Sequence, residues 1–156
     1  MSPAKKTPKA GTRKIVKKND DVIGKNAAGN AVAVSPAAQK SILLVEDEVP
    51  LAHALELKLK NDGFVVKTVA NGSDALEQAK KGGYQLMLLD LIMPLMDGFS
   101  VLSELKSRKI ALPVIVLSNL GQEEDRAKAK SLGALDYFVK SNTPISDIIA
   151  RVKQVI

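Results

Sequence analysis

The sequence predicts an α/β fold in which a five-stranded parallel sheet is doubly wound, with helices on both faces. Three observations carry that prediction. From Ser41 onward, five short apolar runs alternate with five stretches of helical spacing, the pattern of repeated strand–helix units. The first, third and fourth runs are almost wholly apolar, as strands covered on both sides must be. Glycines at 63, 82 and 83 fall where helices should stop.

The elements follow in order. "SILLV" reads as the first strand, and "VPLAHALELKLKND" as a helix with Pro50 in its first turn and Gly63 as its stop. "FVVKTV" is the second strand, followed by the helix "SDALEQAKK", for which Ser73 is the expected opening residue. "QLMLLD" is the third strand, and "FSVLSELKSRK" the helix after Gly98. "PVIVLS" is the fourth strand. In the helix "QEEDRAKAKSL", Glu123, Glu124 and Asp125 lie at the start and Lys128 and Lys130 towards the end, matching the macrodipole. "LDYFV" is the last strand, and "PISDIIARVKQVI" the last helix, with Thr143 as its expected cap and Pro144 in its first position.

At 156 residues the chain has room for one ordinary domain and an appendage. The net charge of +6 is unevenly divided. Residues 1–40 hold nine Lys and Arg against two acids, whereas residues 41–156 hold fourteen against fifteen. The first 40 residues are rich in Pro, Gly, Ala, Lys and Asn and lack a sustained period, so they are expected to form a disordered basic tail. That tail is either a solubilising leader or a phosphate-seeking arm for nucleic acid or an anionic membrane. An arm that binds DNA should lose affinity steeply with salt. No cysteine is present, which excludes disulfides and thiolate metal sites and fits a cytoplasmic protein. No apolar run approaches the roughly 18–20 residues of a membrane helix, and no apolar signal core follows the basic amino terminus.

In a doubly wound sheet, ligands bind beyond the carboxyl ends of the strands. Strand one ends in Glu46-Asp47-Glu48, strand three in Asp90, strand four in Ser118 and strand five in Lys140. Taken singly, each has an ordinary explanation as a helix start, a turn or a surface charge. Together they form a set of polar groups that the fold should gather. Carboxylates so gathered repel one another and call for a divalent cation, and all-oxygen ligation favours Mg²⁺.

"ILLVEDE", "LMLLDLIMPLMDGFS", "VIVLS" and "DYFVK" closely resemble the receiver domain of two-component response regulators, over residues 41–156. The resemblance implies a flavodoxin-like sheet of strand order 2-1-3-4-5, as in single-domain chemotaxis regulators. It implies that Asp90 is the phosphoacceptor, taking its phosphoryl group from a phosphohistidine on a sensor histidine kinase or phosphotransfer protein. Asp47, Asp90 and the backbone carbonyl of Ile92 would bind Mg²⁺, with Glu46 acting through a bound water. Lys140 would pair with the phosphoryl oxygens, Ser118 would donate its hydroxyl to one of them, and Tyr137 would reposition when Ser118 moves. Such a protein is no enzyme beyond its own aspartyl phosphorylation and dephosphorylation. With no further unit after Ile156, the sequence reads as a stand-alone regulator that binds a downstream target or homodimerises through its fourth helix, fifth strand and fifth helix. The alternative is a receiver that regulates binding of nucleic acid or anionic membrane by the tail.

Some positions depart from the family. Ser141 follows Lys140 where proline is usual, so a trans peptide is expected there. Asn119 stands where a small residue is usual. Ile92 and Leu120 are apolar at positions that bear on water reaching the acyl phosphate, so self-dephosphorylation is expected to be slow. Ile92 also argues against a haloacid-dehalogenase-like phosphatase, which needs a second acid there. The anionic "EDE", lacking glycines, argues against a phosphate-cradling loop. His53, the single histidine, is read as an ordinary surface or boundary residue. Met93 and Met96 are expected to pack beneath the loop.

Overall fold

The computed structural model describes residues 39–156. Five strands and five helices alternate: β1 (Ser41–Val45), α1 (Val49–Asn61), β2 (Val65–Val69), α2 (Gly72–Lys81), β3 (Leu86–Asp90), α3 (Gly98–Ser107), β4 (Val114–Ser118), α4 (Glu123–Ser131), β5 (Asp136–Val139) and α5 (Ile145–Val155). A 3₁₀ turn, Lys140–Asn142, joins the last strand to the last helix. All strand pairs are parallel and the order is β2-β1-β3-β4-β5. The three apolar strands are therefore the central ones, and the more polar β2 and β5 form the edges. The basic tail lies outside the described residues, apart from Gln39 and Lys40; the Lys40 carbonyl accepts from Val65 N–H and so extends the pairing with β2.

Alternation along the strands builds two apolar layers. Leu43, Val45, Met87, Leu89 and Val116 face one way, against α2, α3 and α4. Ile42, Leu44, Leu86, Leu88, Ile115 and Leu117 face the other, against α1 and α5. Each fully buried Leu or Ile contributes about 1.5–3 kcal/mol relative to exposure. A slip of one residue in any central strand would exchange the two layers' side chains, so the register is firmly set.

Two helix starts differ from expectation. Asn71, not Ser73, caps α2: its Oδ1 accepts from Asp74 N–H at 2.8 Å, and its amide donates to the Asp74 carboxylate. Pro144 is the cap residue of α5 rather than its first helical residue. Its ψ of 149° is extended, and its carbonyl accepts from Asp147 N–H, leaving Thr143 outside the helix. No peptide bond among the described residues is cis, so Lys140–Ser141 is trans. Met93 is buried and Met96 packs against the same layer, under the loop.

Gly98 fixes how that loop meets the sheet. A Cβ there would lie 2.4 Å from the Asp90 carbonyl oxygen and 2.7 Å from Leu91 Cα, so only glycine lets α3 start against the end of β3. The Asp97 side chain accepts from Ser100 N–H at 2.8 Å and caps the same helix.

Candidate phosphoacceptor site

The site lies at the carboxyl rim of the central strands, where the chain turns in opposite directions out of β1 and β3. β1 delivers Glu46 and Asp47, β3 delivers Asp90, and the turn after β5 delivers Lys140. Asp47, Glu48, Asp90, Ile92, Asn119 and Lys140 line an open cleft of about 210 Å³. Glu46 and Asp90 are only 2% and 4% exposed. Lys140 Nζ lies 2.8 Å from Glu46 Oε2, 3.1 Å from Asp90 Oδ2 and 3.0 Å from Glu48 Oε1. One ammonium thus balances three carboxylates, two of them buried.

Burial disfavours the charge of Lys140, but those carboxylates outweigh it and hold its pKa well above the ordinary lysine value. Glu46 is shifted the other way for a carboxylate. Burial raises its pKa and the Asp90 charge adds to the rise, while Lys140 and the Glu48 N–H oppose it. Glu46 Oε2 is buried, and its close partner is the Lys140 ammonium 2.8 Å away. Glu46, Asp47 and Asp90 each offer an oxygen within 4.8 Å of the others. Three carboxylates so close together, Glu46 and Asp90 nearly buried, suit a hard divalent cation such as Mg²⁺.

Asp90 Oδ1 accepts from Ile92 N–H at 3.2 Å, which fixes the carboxylate and keeps the Ile92 backbone beside it. The Ile92 side chain is 54% exposed at the rim of the cleft. Ser118 is buried at the end of β4. Its register partner is Val139, while Asp90 pairs with Leu117, so the hydroxyl stands one residue beyond the acceptor. Its Oγ accepts from Leu120 N–H at 3.2 Å. The Tyr137 hydroxyl donates to the Leu120 carbonyl at 2.7 Å, and its ring is buried. The backbone of Leu120 therefore connects Ser118 to Tyr137 through its N–H and its carbonyl, while neither residue lines the cleft.

The structure thus gathers Glu46, Asp47, Asp90, Ile92 and Lys140, and sets Ser118 and Tyr137 just behind them. Two participants escaped the sequence reading. In the sequence Glu48 is one of an acidic run, and nothing in that run says which acid reaches Lys140. Arg126 donates from Nη1 to the Tyr137 carbonyl at 3.1 Å and covers its ring at 4.8 Å. Its helix carries a macrodipole signal that hides this contact. Asn119, whose orientation the sequence leaves open, lines the cleft.

Comparison with known proteins agrees with this fold. The response regulator receiver domain family matches residues 42–153. The uncharacterized transcriptional regulatory protein YkoG of Bacillus subtilis is 37% identical over 112 residues, covering 72% of this chain and 49% of that protein. The cell cycle response regulator CtrA of Brucella ovis is 34% identical over 115 residues, covering 74% and 49%. The chain spans about half the length of these relatives. Among solved structures, the Francisella response regulator 1452 receiver domain is 28% identical with a TM-score of 0.71, covering 75% of this chain and 96% of that one. The Thermotoga maritima response regulator TrrA, in complex with Mg²⁺ and BeF, is 30% identical with a TM-score of 0.66, covering 76% and 100%. The gathered carboxylates with their lysine, the strand order and this match over most of the chain lead to one assignment: the chain belongs to the response regulator receiver domain family.

Proposed function

We propose that Asp90 accepts a phosphoryl group from a phosphohistidine on a sensor kinase or phosphotransfer protein, and that the modified domain switches a protein-binding surface. The observation that carries this reading is the 3.1 Å pairing of the nearly buried Asp90 with Lys140 inside an acid-lined cleft. Asp90 Oδ1 or Oδ2 forms the bond to phosphorus as the P–N bond of the donor breaks, and the donor imidazole keeps the electron pair. Lys140 meets the phosphoryl oxygens with positive charge. Asp47, Asp90 and the Ile92 carbonyl would hold Mg²⁺, with Glu46 reaching it through a water, and the ion would supply the remaining positive charge.

The link to the surface runs through Leu120. If the Ser118 hydroxyl turns to donate to a phosphoryl oxygen, the Leu120 peptide loses the acceptor of its N–H. The carbonyl of the same residue anchors the Tyr137 hydroxyl, so movement of the Leu120 backbone frees the ring between α4 and β5. Phosphorylation thereby biases a two-state element that the downstream target, or a second copy of the chain, reads on α4, β5 and α5. We place this chemistry in the cytoplasm; no described helix is long and apolar enough to cross a membrane.

Incubation with acetyl phosphate tests this directly. One phosphoryl group should add to the intact mass in the presence of Mg²⁺ and none after chelation. Once the donor is removed, the adduct should persist for minutes or longer, because Ile92 and Leu120, at the positions that bear on water reaching the acyl phosphate, are apolar. Uptake without Mg²⁺ would remove the metal from the scheme, and loss of the group within seconds would contradict the role given to Ile92 and Leu120.

A further inference from the structure

Glu48 stands immediately before α1, yet its side chain caps nothing. Its carboxylate crosses the cleft and accepts from Lys140 Nζ at 3.0 Å. Lysine has three N–H donors, and three carboxylates already lie within 3.1 Å of this one. On the phosphoacceptor reading, on which this inference rests, a phosphoryl group brings three more acceptor oxygens to the same ammonium. One present partner must yield. Asp90 carries the group and stays. Glu46 is buried, and its Oε1 is tied to the Glu48 N–H at 3.1 Å. The Glu48 side chain is 53% exposed and can turn into water without stranding a buried charge.

We propose that Glu48 is an anionic placeholder: its carboxylate holds, on Lys140, the seat that the phosphoryl oxygens take, and its departure is a condition of their binding. It is a positioning residue acting through Lys140. In the unmodified protein it keeps the ammonium aimed across the mouth of the cleft, and it competes with any tetrahedral anion entering there. Removing it makes the cleft a better receptor for a phosphoryl-shaped anion. Removing it cannot make the cleft a better receptor for a cation, because a negative charge is lost. These opposite signs separate a placeholder from a metal ligand.

The test uses the full chain and beryllofluoride, a tetrahedral phosphoryl mimic, at saturating Mg²⁺. Half-saturating concentrations are measured by calorimetry for the wild type, Glu48→Gln and Glu48→Ala, and Mg²⁺ is titrated separately without the mimic. Both variants should bind beryllofluoride about 3–10-fold more tightly, the scale of one partly exposed, charge-assisted contact no longer competing. Their Mg²⁺ half-saturation should equal or exceed that of the wild type. Unchanged or weaker beryllofluoride binding in both variants would overturn the placeholder, as would a gain accompanied by tighter Mg²⁺ binding. A wild type that binds no beryllofluoride with Mg²⁺ would instead overturn the phosphoacceptor reading.

Discussion

Asp90→Asn abolishes phosphoryl uptake and leaves the fold intact; no other single substitution is expected to remove as much. Asparagine matches aspartate in shape. Its oxygen can still accept from Ile92 N–H, which lies 3.2 Å from Asp90 Oδ1, or from Lys140 on the other side. An uncharged amide oxygen does not form the acyl phosphate, so the nucleophile is lost while its surroundings stay in place. The substitution also removes one of three crowded carboxylates, Glu46, Asp47 and Asp90. Its thermal midpoint without Mg²⁺ should therefore equal or exceed that of the wild type. Intact mass after acetyl phosphate treatment and a melting curve check both statements. A variant that still takes up phosphate would place the acceptor elsewhere.

Lys140→Met has the second large effect, and it acts on stability, metal binding and chemistry in different directions. Lys140 is the counter-ion of Glu46 and Asp90, both nearly buried. Removing one side of a buried ion pair strands the other at a cost of about 3 kcal/mol or more. The loss should depend on pH. Burial already raises the Glu46 pKa and Lys140 opposes that rise, so without Lys140 the pKa climbs further. A carboxyl whose folded pKa lies above its unfolded value makes the native state bind the proton more tightly. Stability then falls as pH rises through the window from the ordinary glutamate value to the raised one. The defect of Lys140→Met, read from urea midpoints, should be largest at neutral pH and smaller near the ordinary glutamate pKa. Lys140 itself does not blur that comparison, because its raised pKa keeps it charged at both. With the competing ammonium gone, Mg²⁺ should bind more tightly, yet phosphoryl uptake should slow by about 10²-fold, the usual consequence of losing one electrostatic contact to the reacting group. Equal stability loss at both pH values would contradict this account of Glu46.

Much of this was legible because side-chain period and strand-end chemistry are local. "LMLLD" announces a central strand ending on an acid, and the parallel winding gathers such ends without further information. The strand order came from the resemblance rather than from periodicity, which does not specify neighbours. Long-range choices were not legible. Asn71 and Ser73 are both good cap residues, and only the approach of Gly72 to the Met96 carbonyl, where a Cβ would lie at 2.2 Å, places the helix start at Gly72. Pro144 satisfied the rule for a first helical residue, but its extended ψ, following the 3₁₀ turn, moved the start by one. Gly98 read as punctuation, whereas its role is the close contact with Asp90. Glu48 acts on a residue 92 positions away, which no window of sequence contains, and Arg126 on one 11 positions away across the turn from α4 to β5, where helical spacing no longer applies.

Locating the phosphoryl group tests the central claim most directly. After acetyl phosphate treatment with Mg²⁺, borohydride reduction converts an aspartyl phosphate to homoserine, and peptide mass spectrometry reads its position. The account predicts a single homoserine at position 90, in the peptide that spans β3 and α3. Modification at Asp47, at His53 or at a serine, with Asp90 untouched, would contradict it.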